Sequence, residues 1–207
     1  MVLLVCAAPV IASYLTFYVI KPEGRTNYGE LLQPLVSLPA PAALAVADLQ
    51  GKPVPLQSVR GNWLLVSVEN APCAEACQKK LYWMRQIRTA QGKDKERVDR
   101  LWLTSDSAPL ETLMLREFEG TLFLRVSAEQ LAAWLPVPAG GKPAEHLYLM
   151  DPHGNIMLRW PSDADANRVK KDLGKLLRAS NFWHQPKPPV IAQAPSTASA
   201  PTPQPSR

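Results

Sequence analysis

The sequence predicts an α/β fold, a sheet covered by helices, behind one N-terminal transmembrane helix. Beyond about residue 44, short apolar runs alternate with helical periods, which is the pattern of strands and helices that share one core. Residues 1–20 carry no charged side chain and are about long enough to cross a hydrocarbon core as a helix. Two of the three cysteines, Cys73 and Cys77, sit in Ala-Pro-Cys-Ala-Glu-Ala-Cys-Gln, directly after an apolar run that reads as a buried strand.

Tyr14, Phe17 and Tyr18 near the far end of the uncharged stretch fit interfacial aromatics better than a small-residue cleavage site, so an anchor is expected rather than a cleaved leader. Taken literally, Lys21 and Arg25 after the stretch would keep the domain on the cytoplasmic side. Residues 21–43 read as a proline-bearing linker, and the domain is expected over residues 44–184. Its strands are expected at 63–68, 100–104, 121–126, 146–150 and 156–160. Helices are expected at 73–91, 109–118, 128–135 and 165–180. Asp151-Pro-His-Gly-Asn155 is a strong turn signal and makes the last two strands a hairpin. Residues 185–207, rich in Pro, Ala, Ser and Thr and almost uncharged, cannot bury a core and read as a disordered tail.

A strand, a cysteine-bearing helix, two strand and helix units, a hairpin and a last helix is the order of a thioredoxin-like fold. In that arrangement Cys73 falls at a helix N-terminus, where free N–H groups and the dipole stabilise a thiolate, and it is expected to be the more exposed sulfur. Cys77 begins a stripe with Leu81, Met84 and Ile87 and is expected to be enclosed. If the segment is helical from Pro72, the spacing stacks the two sulfurs on one face. The pair could close a disulfide, hold a soft metal ion with one further ligand, or be buried core residues.

The chain has three histidines. His146 opens the first hairpin strand, which neighbours the cysteine-bearing strand, and is the candidate third ligand; a histidine bonded to backbone is the alternative. His153 reads as an exposed turn residue and His184 as incidental. The formal net charge of +5 is concentrated partly in Lys79, Lys80, Arg85, Arg88, Lys93, Lys95, Arg97 and Arg100. No nucleic-acid motif accompanies them, so a solvated face that docks an acidic partner is expected instead. Hydrolase and kinase signatures are missing.

Residues 61–177, with Cys73-x-x-x-Cys77, Thr104-Ser-Asp106 and Glu145-His146 leading into Leu-Tyr-Leu-Met-Asp-Pro, resemble the Sco/SenC family of membrane-anchored cytochrome oxidase assembly factors. The resemblance implies a domain outside the cytoplasm on a single-pass inner-membrane anchor, and one copper ion held by Cys73, Cys77 and His146. It places Asp106 on a family aspartate and makes a respiratory oxidase subunit, or another copper or thiol protein, the expected partner. Gln78, Ser107 and Leu147 stand where members usually have Pro, Pro and Ser, the pattern of a divergent member. Two other functions stay open: a thiol:disulfide oxidoreductase using Cys73 as nucleophile and Cys77 as resolving thiol, and a tethered docking domain with a fixed disulfide.

Overall fold

The computed structural model describes residues 2–15, 18 and 27–181. After helix α1 (Val2–Leu15), the chain forms β1 (Glu30–Ser37), β2 (Val46–Ala47), β3 (Trp63–Val68), α2 (Glu75–Thr89), β4 (Val98–Thr104), α3 (Thr112–Glu117) and β5 (Thr121–Val126). It ends in α4 (Ala128–Trp134), β6 (His146–Met150), β7 (Asn155–Pro161) and α5 (Ala166–Ala179). The seven strands make one sheet in the order β1-β7-β6-β3-β4-β5-β2. β3, β4 and β5 run parallel, while β6 pairs antiparallel with both β3 and β7.

Every residue of β3 is buried, because both faces of the sheet are covered and a central strand in such a sheet reads as a continuous apolar run. Trp63 and Leu65 join Leu81, Met84 and Ile87 of α2 and Val169, Leu173 and Leu177 of α5 in one core. Leu64, Val66 and Val68 point the other way, into a second core closed by Leu131 and Trp134 of α4. The period-3.6 stripe on α2 and the period-2 alternation on the strands therefore meet on one face, as their spacing requires.

One boundary of the sequence reading is corrected. Residues 30–37, expected within the linker of residues 21–43, are the edge strand β1, pairing Glu30 with Arg159 and Ser37 with Asn155. Pro34 hides the strand from a pattern search, since proline has no N–H to give to a ladder. The structure accommodates it at the sheet edge, where the register shifts between Leu31 and Val36. Gly29 just before this strand packs so closely that a Cβ there would collide with the indole of Trp160.

Among the described residues no helix is long and apolar enough to cross a membrane. α1 has 14 residues with Pro9 inside it. At 1.5 Å per residue that is about 21 Å, short of the roughly 30 Å hydrocarbon core. The expected spanning helix over residues 1–20 runs partly outside the described residues, as do His184 and the tail of residues 185–207.

Candidate thiol and metal site

The chain leaves β3 at Val68 and is tied at once to the end of β4. The side-chain oxygen of Asn70 accepts from the Ser105 amide at 3.2 Å and its hydroxyl at 2.9 Å, and Asp106 accepts from the Ala71 amide at 2.6 Å. Thr104 donates its hydroxyl to the other Asp106 oxygen at 3.2 Å. These bonds fix the backbone immediately before Cys73. The sequence reading singled out Asp106 by resemblance alone and missed Asn70, whose role depends on the β3–β4 pairing and leaves no mark in local spacing.

Cys73 and Cys77 are joined in a disulfide with their Cα atoms 5.2 Å apart. Helix α2 starts at Glu75, two residues later than expected, because Ala74 is extended at φ −69° and ψ 177° as its N-cap. Cys73 thus lies on the strand-like approach and Cys77 in the first turn, so the sulfurs meet across the helix start rather than along one helix face. Cys77 is buried, 4% exposed, and Cys73 is half-buried, the asymmetry expected from the sequence. No side chain caps the first turn, so its N–H groups and the dipole are available to a thiolate. Gln78 instead donates its amide to the Cys73 carbonyl at 3.0 Å, steadying the residue that carries the more open sulfur.

Most of the basic segment after the cysteines is not a free docking face. Lys80 is buried, its ammonium ion-paired with Glu69 and donating to the Ala144 carbonyl. Arg85 donates to the Glu117 carbonyl at 2.8 Å, and Arg88 to the Val98 carbonyl at 2.7 Å and to Glu96 at 3.0 Å. Arg100 is buried in the sheet and lowered to about 10 by burial first and by Arg88 and Arg85 next. Lys80 sits three residues after Cys77, beside the apolar stripe, and that position was the available signal that it turns inward. Its bonds join the end of β3, the cysteine helix and the segment that leads into His146.

His146 starts β6 one residue beyond the Ser67–Leu147 pair, so it lies at the sheet end where β3 delivers the cysteines. Alternation separates them across the sheet. Leu147 shares a core with Cys77, whereas Tyr148 belongs to the opposite one, and the His146 ring lies 5.9 Å from the Tyr148 ring. Both imidazole nitrogens are buried without a well-formed hydrogen bond. Burial, then the Arg159 guanidinium, hold the imidazole below its usual 6.5, with the Trp160 backbone and Glu145 opposing only in part. A neutral ring with an open nitrogen is the form that ligates metals. An NMR titration should find His146 changing protonation below 6.5. Because the unfolded ring binds its proton first, the His146 contribution to stability should decline as pH falls below that value, and His146→Gln should remove that decline.

Among the described residues no group of three or more His, Cys, Asp or Glu is placed to hold a metal ion. In the disulfide form both sulfurs are bonded to each other. The donor set itself, two potential thiolates and a neutral imidazole, has the chemistry of a soft-metal site. His153 is an exposed turn residue beside Asp151, as expected.

A mixed sheet flanked by helices, with a half-buried and a buried cysteine bridged across a helix start, defines a thioredoxin-like domain with a thiol site. The chain belongs to the family described as transmembrane-like, thioredoxin-like, C-terminal domain, whose model matches residues 63–180. No curated protein matches the sequence. Among solved structures, apo Sco1 from Thermus thermophilus is 19% identical, covers 73% of this chain and 98% of its own, and superposes with a TM-score of 0.55. Yeast Sco1 is 15% identical, covering 72% of this chain and 97% of its own at a TM-score of 0.54. Copper-bound ScoI from Arabidopsis thaliana is also 15% identical, covering 70% and 99% at a TM-score of 0.51. The Sco/SenC resemblance drawn from the sequence is matched by these structures at the level of fold.

Proposed function

We propose that this chain is a membrane-anchored factor that binds copper, or keeps thiols reduced, during assembly of the copper centre of a respiratory cytochrome oxidase. The observation that carries the reading is the Cys73–Cys77 disulfide across the start of α2, on a fold shared with copper-bound ScoI from Arabidopsis and copper-bound yeast Sco1. Reduction begins when an incoming thiolate attacks one sulfur; Cys73 is the more accessible. The Cys77 sulfur leaves as a thiolate in the first turn of α2, where the helix dipole favours it. A second thiolate releases the mixed disulfide, and the electron pair from the external dithiol leaves Cys73 and Cys77 reduced. Only that form offers two thiolates to a copper ion, which is cargo to be handed on. His146 is the candidate third ligand, and the domain is placed on the periplasmic side of the inner membrane, tethered through residues 1–20.

Redox gating is the expected result. Anaerobic titration with Cu(I) should load one ion per reduced chain and none per oxidised chain, read from the thiolate-to-copper absorption and metal analysis. Equal loading of both forms would sink the reading. A reporter fused after the domain should be active only when exported, and cytoplasmic activity would remove the oxidase role.

The placement of His146 on the Tyr148 side of the sheet favours one second reading, a thiol:disulfide oxidoreductase in which the cysteines act without the histidine. Copper affinity unchanged in His146→Ala, together with catalytic reduction of a protein disulfide, would select it.

A further inference from the structure

We infer that the exposed face of α5 is a docking surface for anionic lipid headgroups, which lays the domain against the membrane; this rests on the reading of the N-terminal segment as a membrane tether. The solvent side of α5 carries Arg168, Lys170, Lys171, Lys175 and Arg178. Its one acid, Asp172, is buried, accepts from the Gly29 amide at 2.8 Å with one carboxylate oxygen and lies 3.7 Å from the Lys175 ammonium with the other. Solvated helix faces ordinarily mix charge signs. Here Lys171 and Lys175 are like charges at i, i+4, and Lys175 and Arg178 at i, i+3; Asp172 beside Lys175 offsets part of that repulsion and an anionic partner offsets the rest.

The same face borders a cleft of about 360 Å³ between the end of α2 and α5, lined by Gln91, Asp94, Lys170, Lys171, Lys175 and Arg178. Asp94 does not neutralise it, because its carboxylate pairs with Arg97 at 3.2 Å. Four cations therefore surround a cleft whose single lining acid is already engaged, and only one of them, Lys175, has a carboxylate of α5 beside it.

Lipid is favoured over other anions by where the apolar segment joins the domain. Arg168 stacks over the Tyr28 ring at 3.9 Å, and Asp165, the N-cap of α5, donates its amide to the Tyr28 hydroxyl at 3.3 Å. From Leu15 at the end of α1 to Tyr28 is a short stretch of chain, spanning at most about 45 Å when extended. A bilayer holding the apolar segment thus lies within reach of the α5 face. Ser180, just past α5, accepts from the Trp63 indole at 3.1 Å, which places the end of α5 beside the start of β3 and the disulfide beyond its other end. A domain seated on the lower part of α5 keeps Cys73 open to a partner.

The test is partition of the full chain onto vesicles of phosphatidylcholine alone or mixed with phosphatidylglycerol, at low and high salt. Binding to neutral vesicles reports the apolar segment alone, so its absence counts against the tether; the increment on anionic vesicles reports α5. That increment should shrink with salt and fall by about a hundredfold in Lys170→Glu/Lys171→Glu/Arg178→Glu, at roughly fivefold per basic residue. Lys79→Glu, an exposed charge change on α2, should keep it. Wild-type chain with no preference for anionic vesicles, or a triple variant that retains the preference, would overturn the proposal. So would release by inorganic phosphate at an ionic strength where chloride has no effect, since that marks a soluble-phosphate site.

Discussion

Cys77→Ser and Cys73→Ser should give opposite chemistry despite removing the same disulfide. In Cys77→Ser the remaining thiol is the half-buried Cys73, on the extended approach to α2, and it should alkylate readily and trap a partner as a stable mixed disulfide. In Cys73→Ser the remaining thiol is Cys77, 4% exposed and packed with Leu81 and Met84, and reagents reach it only when the helix start opens. Local openings that cost a few kcal/mol slow such a reaction by roughly a hundredfold to a thousandfold. Mass-spectrometric alkylation rates on the two reduced variants measure this directly. Equal rates would mean that the burial asymmetry is not what sets reactivity, and the assignment of Cys73 as the sulfur through which exchange proceeds would fall.

The same variants test the metal reading. Two thiolates are the soft donors of the proposed copper site, and loss of either leaves at most one thiolate and an imidazole. Copper affinity should drop by more than about a hundredfold in both, a larger loss than removal of a supporting outer group gives. The ligand contribution is symmetric while reactivity is not. A variant that lost exchange chemistry but kept copper would separate the two functions.

What could be read from the chain alone follows from which forces are local. β3, β5 and β6 fall on the expected residues because continuous apolar runs between turn signals fit buried strands. The stripe Cys77, Leu81, Met84 and Ile87 identifies the buried face of α2, and the cores confirm it. β1 was misread because Pro34 breaks the pattern, and its pairing is decided by β7, more than a hundred residues away. Lys80 was read as surface charge although it borders the apolar stripe, because its partners, Glu69 and the Ala144 carbonyl, come from other elements that only the tertiary fold brings to it. For His146 the sequence locates the right end of the sheet, but the side its ring takes depends on register. Register is a tertiary fact, and a one-residue change reverses it.

The stability of the whole assembly should depend sharply on Asp172, a residue no motif picks out. It is 2% exposed on α5 and joins three elements: its carboxylate accepts from the Gly29 amide at 2.8 Å and from the Trp160 indole at 3.3 Å. Gly29 leads into β1 and Trp160 lies on β7, so this one side chain fastens the edge strand and the last helix to the sheet. Asp172→Ala would leave a buried amide and a buried indole N–H without acceptors, each costing about 1–3 kcal/mol, and would open space beside Trp160. The expected loss is roughly 3–5 kcal/mol, read as a lowered midpoint in urea unfolding. Asp172→Asn keeps an acceptor oxygen and the side-chain volume, so it should recover a large part of that loss. The damage should be spatially graded. Hydrogen exchange should rise first in β1 and α5, while β3, held between β4 and β6, stays protected. If Asp172→Ala unfolded with an unchanged midpoint, the edge strand would owe its place to apolar packing against Trp160 alone, and the buried carboxylate would have no structural role.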